Sequence, residues 1–219
     1  MRITLIGMSG SGKSLWSSVL SKQGFQYLGC DNEIGRRLVD DGELHQGSLD
    51  LIGRWMGFPF EDGFTRREAL YLDHETAVMD QFLCGLETRA ANDAAPVVID
   101  TTGSVIYTGK AIRQRLRQQT VVVYLSTSPA YRELLHRAYV ANPRPVLWQQ
   151  HFHQKSGEDE RAALRRCYKN LLADREARYR QYAHLEIQWD PTPDRSLDVD
   201  TLLAPVAAFL TQRRSSHGA

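Results

Sequence analysis

Short apolar runs alternate along this chain with longer stretches in which apolar residues recur every three or four positions. Residues 3–6, 25–28, 96–99, 120–125 and 184–188 are the short runs, and each reads as a strand. Continuous rather than alternating apolar character marks strands covered on both faces of a parallel sheet. Between residues 14 and 22, Leu15, Trp16, Val19 and Leu20 keep helical spacing. Residues 66–87 and 158–182 carry the same periodicity over longer spans. Strands alternating with helices predict an α/β fold, with helices on both faces of the sheet. Residues 200–214 form a last predicted helix, which Pro205 either kinks or delays. Two stretches escape the pattern. Residues 40–63 are rich in Gly and acids, with Trp55, Phe58 and Phe60 scattered through them. Residues 141–157 have two prolines around an arginine, and their place between two helices predicts a lid.

Composition narrows the class. The chain has 219 residues and a formal net charge of +1, which suits one α/β domain and gives no basic field for nucleic acid or an anionic membrane. Its three cysteines, Cys30, Cys84 and Cys167, are widely spaced and contain no C-x-x-C pair, so a reducing compartment is expected rather than a disulfide framework or a zinc site. The N-terminus lacks signal-peptide character, and no apolar run approaches a membrane span. The expectation is a cytoplasmic protein, a monomer by default with an oligomer left open.

The chemistry begins at Gly7-Met8-Ser9-Gly10-Ser11-Gly12-Lys13-Ser14, which fits G-x-x-x-x-G-K-[ST] between a strand and a helix. Glycines let backbone N–H groups curl around an anion, and the helix that follows adds its positive end. Lys13 supplies a point charge to the β- and γ-phosphates, and the Ser14 hydroxyl can ligate Mg²⁺. Gly7, Ser9, Gly10, Ser11, Gly12, Lys13, Ser14 and the following Leu15 are therefore the candidate nucleotide-binding residues, with ATP and Mg²⁺ as the implied cofactors. Asp100 ends the run Val97-Val98-Ile99 and is a candidate second metal-site group beside Ser14.

From residue 2 to about residue 194 the order of pieces resembles shikimate kinase, in the nucleoside-monophosphate-kinase-like branch of P-loop folds. Gly29-Cys30-Asp31 stands where that family has Asp-x-Asp; Arg144-Pro145-Val146-Leu147 resembles its lid sequence; Leu171 to Tyr179 resembles its carboxylate-gripping helix. The resemblance implies a three-layer fold on a five-stranded parallel sheet in order 2-3-1-4-5, with a mobile lid. It implies one P-loop kinase domain over residues 1–214, with acceptor binding in 32–88, the lid in 138–157 and a flexible tail at 215–219. It further implies that Asp31 orients the acceptor hydroxyl, Arg144 closes over the phosphates, Arg137 and Pro193 pack adenine, and Arg175 with Gly103 contacts the acceptor. Lys13, Asp31 and Arg144 would be the catalytic set.

Departures bear on the acceptor. The family's first metal-site acid is Gly29 here, and its run of three glycines is Thr101-Thr102-Gly103, so two threonines are expected to narrow the acceptor floor. Phe64-x-x-x-Glu68 matches an acceptor-helix spacing, but Thr65 replaces the expected arginine. Arg66 lies about 100° further round the helix and is the substitute acceptor contact. The reading is ATP-dependent transfer of the γ-phosphoryl group to a hydroxyl of a small, anionic metabolite. A nucleoside or nucleotide kinase and a catalytically silent ATP-binding regulator are the alternatives. His151-x-His153 has no acidic or cysteine neighbour in sequence to complete a metal site.

Overall fold

The strands β1 (Arg2–Ile6), β2 (Gln26–Gly29), β3 (Val97–Asp100), β4 (Val121–Ser126) and β5 (Leu185–Gln188) hydrogen-bond in the order β2-β3-β1-β4-β5 in the computed structural model. Every pairing is parallel, with Gly29 beside Asp100 and Leu5 beside Asp100 on the other side. The structure describes residues 1–89, 95–142, 146–192 and 197–217. Helices α1 (Lys13–Lys22), α2 (Cys30–Asp40), α3 (Leu49–Met56), α4 (Phe64–Glu87), α5 (Lys110–Gln119), α6 (Pro129–Ala141), α7 (Glu160–Tyr182) and α8 (Asp200–His217), with short 3₁₀ turns at Val105–Tyr107 and Gln149–His151, complete the described elements.

Period-two geometry explains the three layers. Along β4, Val121, Val123 and Leu125 pack with Trp16 and Leu20 of α1 and with Leu202 and Val206 of α8. Val122 and Tyr124 point the other way, into a larger core shared with α2, α4, α5 and α7. Both sets are buried, so β4 reads as an unbroken apolar run. Burying one such side chain contributes roughly 1.5–3 kcal/mol, and a register slip of one residue would exchange the two faces.

Two expectations need adjusting. Residues 40–63 are not wholly irregular. Ser48 caps α3, its hydroxyl accepting the Leu51 N–H at 3.4 Å, and Gly57 ends it at φ 72. An N-cap oxygen satisfies a donor that the first helical turn leaves unpaired. Trp55, Phe58 and Phe60 are partly buried against the larger core. At the other end, α8 runs from Asp200 without a delayed start and contains Pro205. It continues to His217, into the stretch expected as a tail. No helix among the described residues is long and apolar enough to cross a membrane.

Candidate functional site

The residues that carry chemistry lie just beyond the carboxyl ends of the strands. After β1, the chain turns through Gly10 and Gly12 at φ 81 and 89 into α1. A Cβ on Gly12 would lie 2.3 Å from the Trp189 ring, which follows β5 and packs edge-on against Trp16. Glycine is thus needed at position 12 both for its left-handed backbone and for space. Lys13 is buried, and its ammonium donates to the carbonyls of Gly7 at 3.0 Å and Met8 at 2.9 Å. Burial lowers the Lys13 pKa, while the nearby Asp100 and Asp31 raise it. Ser9, Ser14 and Leu15 are exposed on the lip of the loop; Gly7 and Ser11 are buried.

Asp100 closes β3 beside this loop. Burial raises its carboxyl pKa, opposed by a hydrogen bond from Ser14 and the charge of Lys13. The Tyr27 hydroxyl also reaches Asp100, at 3.4 Å. Tyr27 and Gly29 lie on one face of β2, and a Cβ on Gly29 would come within 2.4 Å of the Tyr27 oxygen. The phenol therefore fills the space that a side chain at position 29 would take. A divalent cation fits this corner, because Mg²⁺ takes one or two carboxylates and fills its remaining positions with phosphate oxygens and water. Ser14 and Asp100 supply such a set.

Asp31 occupies the first turn of α2, where the helix end favours an acid. Tyr71 of α4 donates to it at 3.3 Å, and burial raises its pKa against the charge of Lys13. Arg175 of α7 is 6% exposed and donates to the Leu147 carbonyl at 2.7 Å, while its Nε has no partner. A Cβ on Gly103 would lie 3.2 Å from an Arg175 nitrogen and 3.6 Å from the Ser9 amide. Gly103 thus lets the guanidinium approach the phosphate loop. Tyr107 packs beneath Arg175, 5.6 Å from ring centre to guanidinium, and Tyr179 donates to the Gly103 carbonyl. Lys13, Asp31, Asp100 and Arg175 are brought to one hollow.

Other candidates fall elsewhere. Arg66 pairs with Glu43, and its side chain is 66% exposed, so it does not line this hollow. Phe64 is buried in the larger core, and Glu68 accepts the Trp148 and Gln149 backbone N–H groups. The same aromatic-x-x-x-Glu spacing recurs seven residues later, at Tyr71 and Glu75, and these are the side chains that face the site. Seven residues are about two turns, which keeps the face and moves the contact along the helix. The threonine expectation also changes. Thr101 donates to the Leu5 carbonyl at 2.7 Å, inside the sheet, and Thr102 donates to Glu75. Neither hydroxyl is free to meet an acceptor. Arg137 extends along α6 to Glu133 at 3.0 Å and is exposed. Arg144 and Pro193 lie outside the described residues.

Tyr27, Tyr71, Glu75, Ser104 and Tyr107 escaped the sequence reading. Only the second aromatic-x-x-x-Glu repeat gave a usable signal for two of them. The two histidines diverge: His151 lies 3.1 Å from Asp174, whereas His153 contacts Arg166 at 3.0 Å. No cluster of three or more potential metal ligands from His, Cys, Asp and Glu occurs among the described residues.

Comparison with known proteins agrees with this architecture. The family model described as an AAA domain matches residues 3–177. The chain is 30% identical over 211 residues to a shikimate kinase of Paracidovorax citrulli (strain AAC00-1), covering 96% of this chain and 92% of that protein. In fold it is similar to the shikimate kinase of Acinetobacter baumannii in complex with shikimate, at TM-score 0.57 and 24% identity over 97% of this chain and 93% of that one. The shikimate kinase of Bacteroides thetaiotaomicron superposes at TM-score 0.56 and 18% identity, over 100% and 99% of the two chains. The chain belongs to this AAA-domain family and is a shikimate kinase-like P-loop small-molecule kinase.

Proposed function

From that membership as premise, we propose that the protein transfers the γ-phosphoryl group of ATP to a hydroxyl of a small hydroxy acid. The observation that carries this reading is Arg175. It is a buried cation whose Nε has no partner, set across Gly103 from the phosphate loop. Burying a charge without an acidic partner is costly, and a ligand carboxylate taken by the guanidinium fork would offset that cost.

In the working complex the loop N–H groups and Lys13 hold the β- and γ-phosphates. Lys13 must leave the Gly7 and Met8 carbonyls to do so, which a phosphate oxygen compensates. Ser14 and Asp100 would hold Mg²⁺, which supplies charge neutralisation on the phosphate oxygens. Asp31 accepts the acceptor's hydroxyl hydrogen and aims its oxygen at the γ-phosphorus. Its burial-raised pKa makes it a better proton acceptor than an ordinary aspartate. Arg144, on the lid, would cover the transferring group and limit hydrolysis. Arg137 and Pro193 are the proposed adenine contacts and Arg175 with Gly103 the acceptor contacts, so positioning and charge carry most of the catalysis.

Thr101 and Thr102 are both committed to protein partners, which leaves a nucleoside reading without its hydroxyl contacts. The test is ADP release from Mg²⁺-ATP across shikimate, related hydroxy acids, neutral polyols, sugars and nucleosides. Stimulation by a hydroxy acid, lost in Lys13→Ala, is the expected result. Response to nucleosides alone, or nucleotide binding without turnover for every acceptor, would overturn the reading.

A further inference from the structure

Behind the acceptor hollow, three side chains close a ring of oxygen contacts. Glu75 of α4 is fully buried, at 0% exposure. One of its carboxyl oxygens meets the Thr102 hydroxyl, and the other lies 2.6 Å from Ser104 Oγ. The two hydroxyls are themselves 2.9 Å apart, and Thr102 Oγ1 accepts the Ser104 N–H at 3.0 Å. Each of the three oxygen–oxygen contacts needs one hydrogen between its atoms. The two hydroxyls supply two, and an ionised carboxylate supplies none. With Glu75 ionised, one contact would be two buried oxygens facing each other without a proton. With Glu75 protonated, every group donates once around the ring, in either sense of rotation, and all three contacts are satisfied.

We propose that Glu75 holds a proton in the folded enzyme, and that this neutral acid is a positioning residue for the acceptor site. It locks the Thr102–Ser104 turn that carries Gly103, and it adds no negative charge that would neutralise Arg175. The second role rests on the proposed function; the protonation does not.

The charged and titratable groups around Glu75 pull in both directions. Asp31 and Cys30 on α2, Tyr71 on α4 and Tyr179 on α7 face it without favouring its ionisation, while Lys13 on α1 and Arg175 on α7 favour its charge. Burial outweighs the charges, and also the Ser104 and Thr102 hydrogen bonds that would favour ionisation, and pushes the carboxyl from 4.5 up to about 7. An unfolded chain ionises Glu75 near its ordinary value, whereas the folded chain keeps the proton longer. Glu75 therefore makes stability fall as pH rises from about 4.5 to about 7, with no further change above that.

Gln at position 75 copies the protonated acid, since its amide donates to Ser104 and its carbonyl accepts from Thr102. Infrared spectra near pH 6 should show a protonated-carboxyl band in the wild type that E75Q lacks, and urea unfolding should separate the two by pH. E75Q should gain stability relative to wild type as pH rises from about 4.5 to about 7, while E75A is destabilised throughout. The proposal is overturned if no protonated-carboxyl band is lost in E75Q, or if E75Q and wild type differ by a constant amount at every pH. Neither measurement contains nucleotide or acceptor, so failure here is separate from failure of the proposed reaction. For the second role, the KM of whichever hydroxy acid stimulates ADP release should rise with pH through about 7 in wild type and stay flat in E75Q. Equal pH dependence in the two would remove that role.

Discussion

Arg175 sets the demand on the acceptor. Among the described residues no carboxylate lies within salt-bridge range of it, and it rests instead on the Leu147 carbonyl and the Tyr107 ring. Losing one member of a buried charge-assisted contact costs about 2–5 kcal/mol. Arg175→Met should therefore lower kcat/KM for an anionic acceptor roughly 30-fold or more. ATP affinity should be nearly unchanged, measured by titration of intrinsic fluorescence. Gly29 makes a second demand at this scale. Its register partner is Asp100, so an acid introduced there would stand beside the carboxylate proposed to hold Mg²⁺. Tyr27 fills that space but is 39% exposed, so its ring can swing outward. Gly29→Asp should thus lower the Mg²⁺ concentration for half-maximal ADP release several-fold, for roughly 1 kcal/mol of added attraction. A rise in that concentration would mean that Tyr27 serves the metal site better than an acid. The glycine was visible in the sequence, but the phenol above it was not, because residues two apart on a strand meet only through their rotamers.

Helix α4 joins the segment after α6 to the proposed acceptor site. Its face presents Glu68, Tyr71 and Glu75 at helical spacing to the Trp148–Gln149 backbone, to Asp31 and to the Thr102 turn in that order. Glu68 accepts the Trp148 and Gln149 N–H groups, and Trp148 beside it is wholly buried against Tyr139, Phe152 and Tyr168. Glu68→Ala would leave those two backbone donors unpaired, at a cost of roughly 1–3 kcal/mol. Faster hydrogen exchange at Trp148 and Gln149 is expected, together with more ATP hydrolysis in the absence of acceptor. Unchanged exchange would place the hold on this segment in the Trp148 cluster alone. This helix also marks how far sequence reading reaches. Its existence followed from periodicity, but the turn of it that meets the site did not, since Phe64-x-x-x-Glu68 and Tyr71-x-x-x-Glu75 are equally good repeats. Only the length of the preceding segment, including the unforeseen α3, decides between them.

The molecule as a whole concentrates its chemistry at one edge. The phosphate loop follows β1, Asp31 follows β2, Asp100 to Ser104 end and follow β3, and Trp189 follows β5 to wedge beneath Gly12. In open parallel sheets, ligands bind at the carboxyl ends where connections diverge to opposite faces. The inner strands β1, β3 and β4 were legible because parallel burial leaves apolar runs, and the loop was legible because its chemistry is local. The ring of Glu75, Thr102 and Ser104 was not legible, because it joins positions 27 and 29 residues apart. A site assembled from several strand ends couples the elements that carry them, so ligation should stabilise the whole domain cooperatively. At a Mg²⁺-ADP concentration of 100 times Kd, linkage adds about 2.7 kcal/mol. For a chain of this size that raises Tm by roughly 5–10 °C. Lys13→Ala should abolish most of the shift by removing the buried ammonium from the phosphate site, while Arg175→Met should retain it. A shift of equal size in wild type and Lys13→Ala would show that the nucleotide is held somewhere other than the loop after β1.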